Sequence, residues 1–169
     1  VFPSSTYAQT FAEAAKLLGG AAVGLAVHES AYVVADYAAG VPPGLRKVTF
    51  GPVPFFAITH DPVTPTHDFV ISSPGFWAQH AFSEYLLVAH PELRSEDAPL
   101  LKGALAFNIL TSVAYSGAAF ARTGPNERDT RGMALSVGVD EPVIGALILA
   151  PAVLDSMRYF GDGNRWVVW

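Results

Sequence analysis

The sequence predicts a mainly α fold: a polytopic membrane helical bundle of about four helices, with a short β-hairpin between the first two. Three observations carry this. Charged residues make up 15% of the 169 residues, against about a quarter in ordinary soluble domains. Mean hydropathy is +0.32, so there is little charge to cover a water-facing surface. The stretch Gly103 to Ala121 contains no charge and has the length a helix needs to cross a bilayer. A soluble domain with buried helices is the other reading of the same numbers.

The first helix is expected from about Phe11 to Ala39, with an apolar centre at Leu17 to Val27. Residues 1–10 read as a tail or leader remnant, and 11–169 as a single membrane-embedded helical domain. The chain starts at Val1 rather than Met, which fits a processed or truncated product. The small residues Gly19-Gly20-Ala21-Ala22 and Gly117-Ala118-Ala119 suit close helix approach in lipid. Val48 to Thr59 is rich in β-branched and aromatic residues and broken by Gly51-Pro52, the pattern of two short strands around a turn. Thr59 to Asp68 holds an imperfect repeat around His60-Asp61 and His67-Asp68 among prolines, where such residues commonly shape turns.

A second helix is expected from about Pro74 to His90. His80 and Glu84 share one face of it at i, i+4 spacing. An intrahelical hydrogen bond aimed into the bundle is the plain reading, and a metal pair or proton relay is the functional one. Pro91 to Lys102 and Arg122 to Gly132 read as polar loops. The third helix, Gly103 to Ala121, carries Asn108 as an interhelical hydrogen-bonding residue. The fourth, Pro142 to Phe160, carries Asp155 and a kink at Pro151. Arg165 to Trp169 has the aromatic and cationic character of an interfacial anchor or of an amphipathic chain end. Each of the four helices thus carries a polar or ionisable group, which in lipid turns toward the bundle interior.

Composition also excludes. The net charge of −5 and the lack of a basic stripe argue against nucleic acid. With no cysteine, disulfides and thiolate metal sites are ruled out. No phosphate-cradling glycine loop or Gly-x-Ser-x-Gly nucleophile motif is present. Five basic residues fall on each side of the expected helices, so the positive-inside rule sets no orientation.

The pair His28-Glu29 stands inside an apolar run. A zinc-protease helix places histidines at i and i+4 with a glutamate general base beside the first; here position i+4 is Tyr32. Phe50-Gly51-Pro52, Ser73-Pro74-Gly75 at a helix start, and Phe107-Asn108-Ile109-Leu110 follow in order. From about Gly20 to Gly132, this succession resembles the site-2 protease family of intramembrane zinc metalloproteases. That family has a His-Glu-x-x-His helix, a hairpin with a Phe-Gly turn, and an Asn-x-x-Pro helix leading to Leu-Asp-Gly.

The departures fall on the metal. Tyr32 replaces the second histidine, Ser116-Gly117 stands where the family has Asp-Gly, and Thr111 replaces the proline. A catalytic zinc wants three protein ligands. The resemblance therefore implies a core degenerate at the ligand positions, without cofactor and not an enzyme. Such a chain would act as a scaffold or accessory subunit of a larger membrane complex, with lipids and other membrane proteins as partners, in a bacterial inner membrane. Tyr32, His80, Glu84, Asn108 and Ser116 would serve packing and recognition. The alternative is an active zinc endopeptidase with an atypical ligand set. In it His28 binds zinc, Asp129 or Asp155 supplies a carboxylate, His60, His67 or His80 supplies an imidazole, and Glu29 is the general base.

Overall fold

Apolar length sets the frame. The computed structural model describes residues 4–50 and 53–161. Helix α1 spans Ser4–Ala38, followed by strands β1 (Gly44–Phe50) and β2 (Val53–Thr59). Then come α2 (Pro65–Ser72), α3 (Pro74–Ala89), α4 (Pro99–Ala121), α5 (Asp129–Val137) and α6 (Glu141–Phe160). Among the described residues, three stretches are long and apolar enough to cross a membrane: Thr10–Ala38, Pro99–Ala121 and Glu141–Phe160. Only 22%, 39% and 28% of their apolar windows are buried, so these helices turn most of their greasy surface outward. Phe11, Leu18, Val34, Leu110, Met157 and Phe160 are among the exposed large side chains. Soluble monomers rarely expose so much contiguous apolar surface.

The second expected membrane-length helix is corrected. Helix α3 has 16 residues, about 24 Å at the α-helical rise, short of a hydrocarbon core of about 30 Å. It works as an inner strut: Phe76, Gln79, His80, Ser83, Leu86 and Leu87 are all buried. Two short helices also occupy segments expected to be loops. Proline at its start favours α2, and Gly138, in the left-handed conformation, ends α5. The loop expected from Pro91 to Lys102 ends early, because α4 starts at Pro99. Helix α1 starts at Ser4 rather than near Phe11. Residues 1–3, the Gly51-Pro52 turn and the Arg165 to Trp169 anchor lie outside the described residues.

Glycines place the long helices. A Cβ on Gly20 would lie 1.8 Å from the Leu100 carbonyl oxygen, and one on Gly103 would lie 2.0 Å from that of Leu17. Two backbones therefore touch directly, and α1 and α4 run parallel, since residues 17–24 meet 100–108 in the same direction. A Cβ on Gly19 or on Gly117 would meet nothing within 4 Å, so close approach uses Gly20 in the first small-residue run and Ala119, against Gly145, in the second. Helix α3 runs opposite to α1, with Gly75 against the Tyr32 ring, and Gly145 lets α6 approach Ala119 and Ser116 on α4. Phe76, Met133, Ala134, Ile144 and Ile148 form the core at the hairpin end. Leu86, Leu87, Leu93, Ala104 and Leu105 form the other. The hairpin is antiparallel, in register from Gly44 opposite Thr59 to Phe50 opposite Val53.

Candidate functional site

Spacing by four puts His28, Tyr32 and Asp36 on one face of α1. All three are buried. What each meets differs sharply.

His28 enters a buried hydrogen-bond network in which, among the described residues, Asn108 Oδ1 alone of the buried side-chain polar atoms lacks a partner. Its Nδ1 lies 2.8 Å from Gln79 Oε1. Gln79 Nε2 donates to the Asn108 carbonyl at 3.1 Å and to Ser112 Oγ at 2.5 Å. Because a carbonyl can only accept, the amide orientation is fixed, and His28 must be the donor at Nδ1. The backbone of Gly75 also hydrogen-bonds the ring. Asn108 Nδ2 donates to the Gln79 carbonyl and to Ser83 Oγ, each at 3.0 Å. Tyr32 and Phe76 pack edge-on to the imidazole, with centroids 5.1 and 5.2 Å away. The network joins α1, α3 and α4. Ser116 extends the polar contacts to α6, donating to the Ser112 and Gly145 carbonyls at 2.7 and 2.8 Å.

Tyr32 points elsewhere, toward the Asp129 carboxylate at the start of α5. Tyr115 on α4 faces that carboxylate as well. The Tyr32 hydroxyl reaches it without closing a bond of ordinary geometry. Burial pushes the Asp129 carboxyl up to about 6, against the opposing pull of the two phenols. Glu29 is close enough to interact electrostatically with Asp129. Glu29, Tyr32, Tyr115, Glu127, Arg128 and Asp129 line a cavity of about 50 Å³ under β2. The segment expected to be a solvated loop folds inward here. Arg128 pairs with Glu141 through two bonds of 2.6 and 2.5 Å, and Thr130 donates to the same carboxylate at 2.7 Å.

Asp155 lies in a third cluster, with Ser83, Glu84 and Arg158. The expected His80–Glu84 pairing within α3 is replaced, because Glu84 takes Arg158 of α6. His80 hydrogen-bonds the Ile148 backbone, while its Nε2 has no partner. His60, by contrast, stays in the loop before α2, with its Nδ1 on the Asp61 carbonyl and its Nε2 3.7 Å from Asp68.

The three metal candidates therefore have separate surroundings: His28 with Gln79, Asp129 with two tyrosines, Asp155 with Glu84 and Arg158. Among the described residues no three His, Asp or Glu side chains converge as metal ligands. Gln79, Tyr115 and Asp36 are the residues that sequence reasoning missed. Asp36 was detectable, since it continues the i, i+4 series of His28 and Tyr32. Gln79 was not, because its partner lies 51 residues away. Comparison with protein-family models, with curated proteins and with solved structures gave no match.

Proposed function

We propose that this chain is a non-catalytic integral membrane protein on a site-2-protease-like core, acting as a scaffold or accessory subunit of a larger membrane complex, with a bacterial inner membrane as its residence. One observation supports it most. One turn after His28, where a zinc helix carries its second histidine, stands the Tyr32 phenol, packed edge-on against the imidazole, and His28 itself is tied into a buried network that joins three helices. Polar groups in such a bundle hold helices in register. The outward apolar faces of α1, α4 and α6 offer surface to lipid and to neighbouring membrane helices.

The test is purification from membranes in mild detergent, with metal analysis and a peptide-cleavage assay on wild type and Glu29→Gln. Fixed-stoichiometry recovery within a larger complex, and no cleavage that depends on Glu29, is the expected result. Stoichiometric zinc together with proteolysis lost in Glu29→Gln would overturn the proposal.

A further inference from the structure

Asp36 is 0% exposed, and neither of its carboxylate oxygens has a hydrogen-bond partner. A buried carboxylate left so is costly unless something cationic meets it. Asp36 borders a cavity of about 280 Å³ between the end of α1, the hairpin, α2 and α5. One helical turn earlier, Tyr32, 5% exposed, borders the same cavity, its hydroxyl turned to Asp129 without a hydrogen bond of ordinary geometry. The unsatisfied group at this space is the Asp36 carboxylate.

The charge around the cavity does not balance. Asp36, Asp68, Asp129 and Glu127 line it, against Arg46, Arg128 and the imidazole of His60. Both arginines are spent: Arg46 on Glu127 at 2.6 Å, and Arg128 on Glu141. Asp68 accepts from Ser136 Oγ at 2.9 Å. His60 sits 3.7 Å from Asp68 and acts on Asp36 electrostatically, without a hydrogen bond to either Asp36 oxygen. A bare metal ion fits poorly, because hard cations want six or more oxygen ligands and no three acidic or imidazole groups converge among the described residues. The space is several times the roughly 30 Å³ of one water, and Ile58, Ile71 and Leu135 give it apolar walls.

We infer that this cavity binds an organic cation, a guanidinium or ammonium group on a short methylene stem. The charged head sits between Asp36 and Asp129, the Tyr32 oxygen accepts a hydrogen bond from it, and the stem lies on the apolar wall. The cavity excludes His28 and Glu29 but includes Asp129, so the inference rests on the non-catalytic reading, in which Asp129 is not a zinc ligand.

Calorimetric titration of the full chain in detergent micelles tests it. The probes are butylguanidinium, butylammonium, the neutral isostere butylurea, KCl, MgCl2 and the capped peptide acetyl-Gly-Arg-Gly-amide. Saturable binding of a butyl cation is expected below about 10 mM, with butylurea silent. Asp36→Asn should weaken it at least about tenfold, as loss of a charge-assisted bond does. Tyr32→Phe keeps the ring packing and should weaken it less, which guards against misreading an unfolded Asp36 variant. Peptide binding as tight as butylguanidinium assigns the cation to a polypeptide; exclusion of the peptide with retained butylguanidinium binding assigns it to a free small molecule. Equal binding of butylurea, displacement of the butyl cations by K⁺ or Mg²⁺ at equal concentration, silence of both butyl cations, or unchanged affinity in a folded Asp36→Asn protein overturns the inference.

Discussion

Two polar regions share one face of α1, and they are built on opposite terms. Around His28, Gln79 and Asn108, nearly every polar atom has a partner, and the partners come from three helices. One to two turns further along, Tyr32 meets Asp129 without a bond of ordinary geometry, and both Asp36 oxygens lack a hydrogen-bond partner. The first region is a set of internal ties. The second is unfinished chemistry, and it lies on the hairpin side of the molecule. A histidine beside a glutamate drew attention to the first, yet the unmet demand for a ligand is in the second.

The largest effect should come from cutting the hub. Gln79→Leu strands His28 Nδ1 and Ser112 Oγ in the bundle, and a loss on the order of 3 kcal/mol is expected, read as a lowered melting midpoint in detergent. A variant as stable as wild type would mean that the ties are ornamental. Next is Gly20→Ala. The added Cβ meets the Leu100 carbonyl oxygen and forces α1 from α4, at about 2 kcal/mol for overpacking. Because the same spacing sets the network, the His28 ring should also lose its protection, visible as faster exchange of its Nδ1 proton.

A pH series separates the regions. Burial raises the Asp129 carboxyl from 3.8 to about 6, so over that interval the folded chain keeps a proton that the unfolded chain has released. Its contribution is full below 3.8 and falls as pH rises to about 6, then stays flat. The wild-type midpoint should drop by a few degrees more across this window than that of Asp129→Asn; equal slopes in both proteins would refute the assignment. Asp36→Asn should cost nothing and raise stability by about 1 kcal/mol, since it neutralises a carboxylate with no partner. A loss in urea or thermal melts would reveal a hidden partner. The smallest effect is Arg46→Ala. Its bridge to Glu127 is largely exposed and should be worth under about 1 kcal/mol, within reach of a double-mutant cycle with Glu127→Gln.

Much of the frame was legible from residues 11–160. Apolar length marked α1, α4 and α6, the uncharged run Gly103 to Ala121 most plainly, and the β-branched and aromatic run marked the hairpin. Helix α3 was over-read, because apolar composition signals burial by protein as readily as by lipid. The short α2 and α5 were missed because their prolines, glycines and charges imitate loops, and packing on α6 and on each other supplies what local propensity lacks. Within the candidate site, Asp129 could be named from its carboxylate, but its neighbours could not. Tyr115 and Gln79 reach it and His28 only through tertiary contacts, which spacing along one helix does not encode.

The parallel contact of α1 with α4 also imposes an order of synthesis. The chain between Gly20 and Gly103 must be made before the two glycines can meet, about 80 residues at about 5–20 residues per second. For some 4–16 s, a nascent α1 would hold His28, Tyr32 and Asp36 without the partners that later enclose them. Until α3 and α4 emerge, that polar stripe stays without the groups that enclose it in the folded chain.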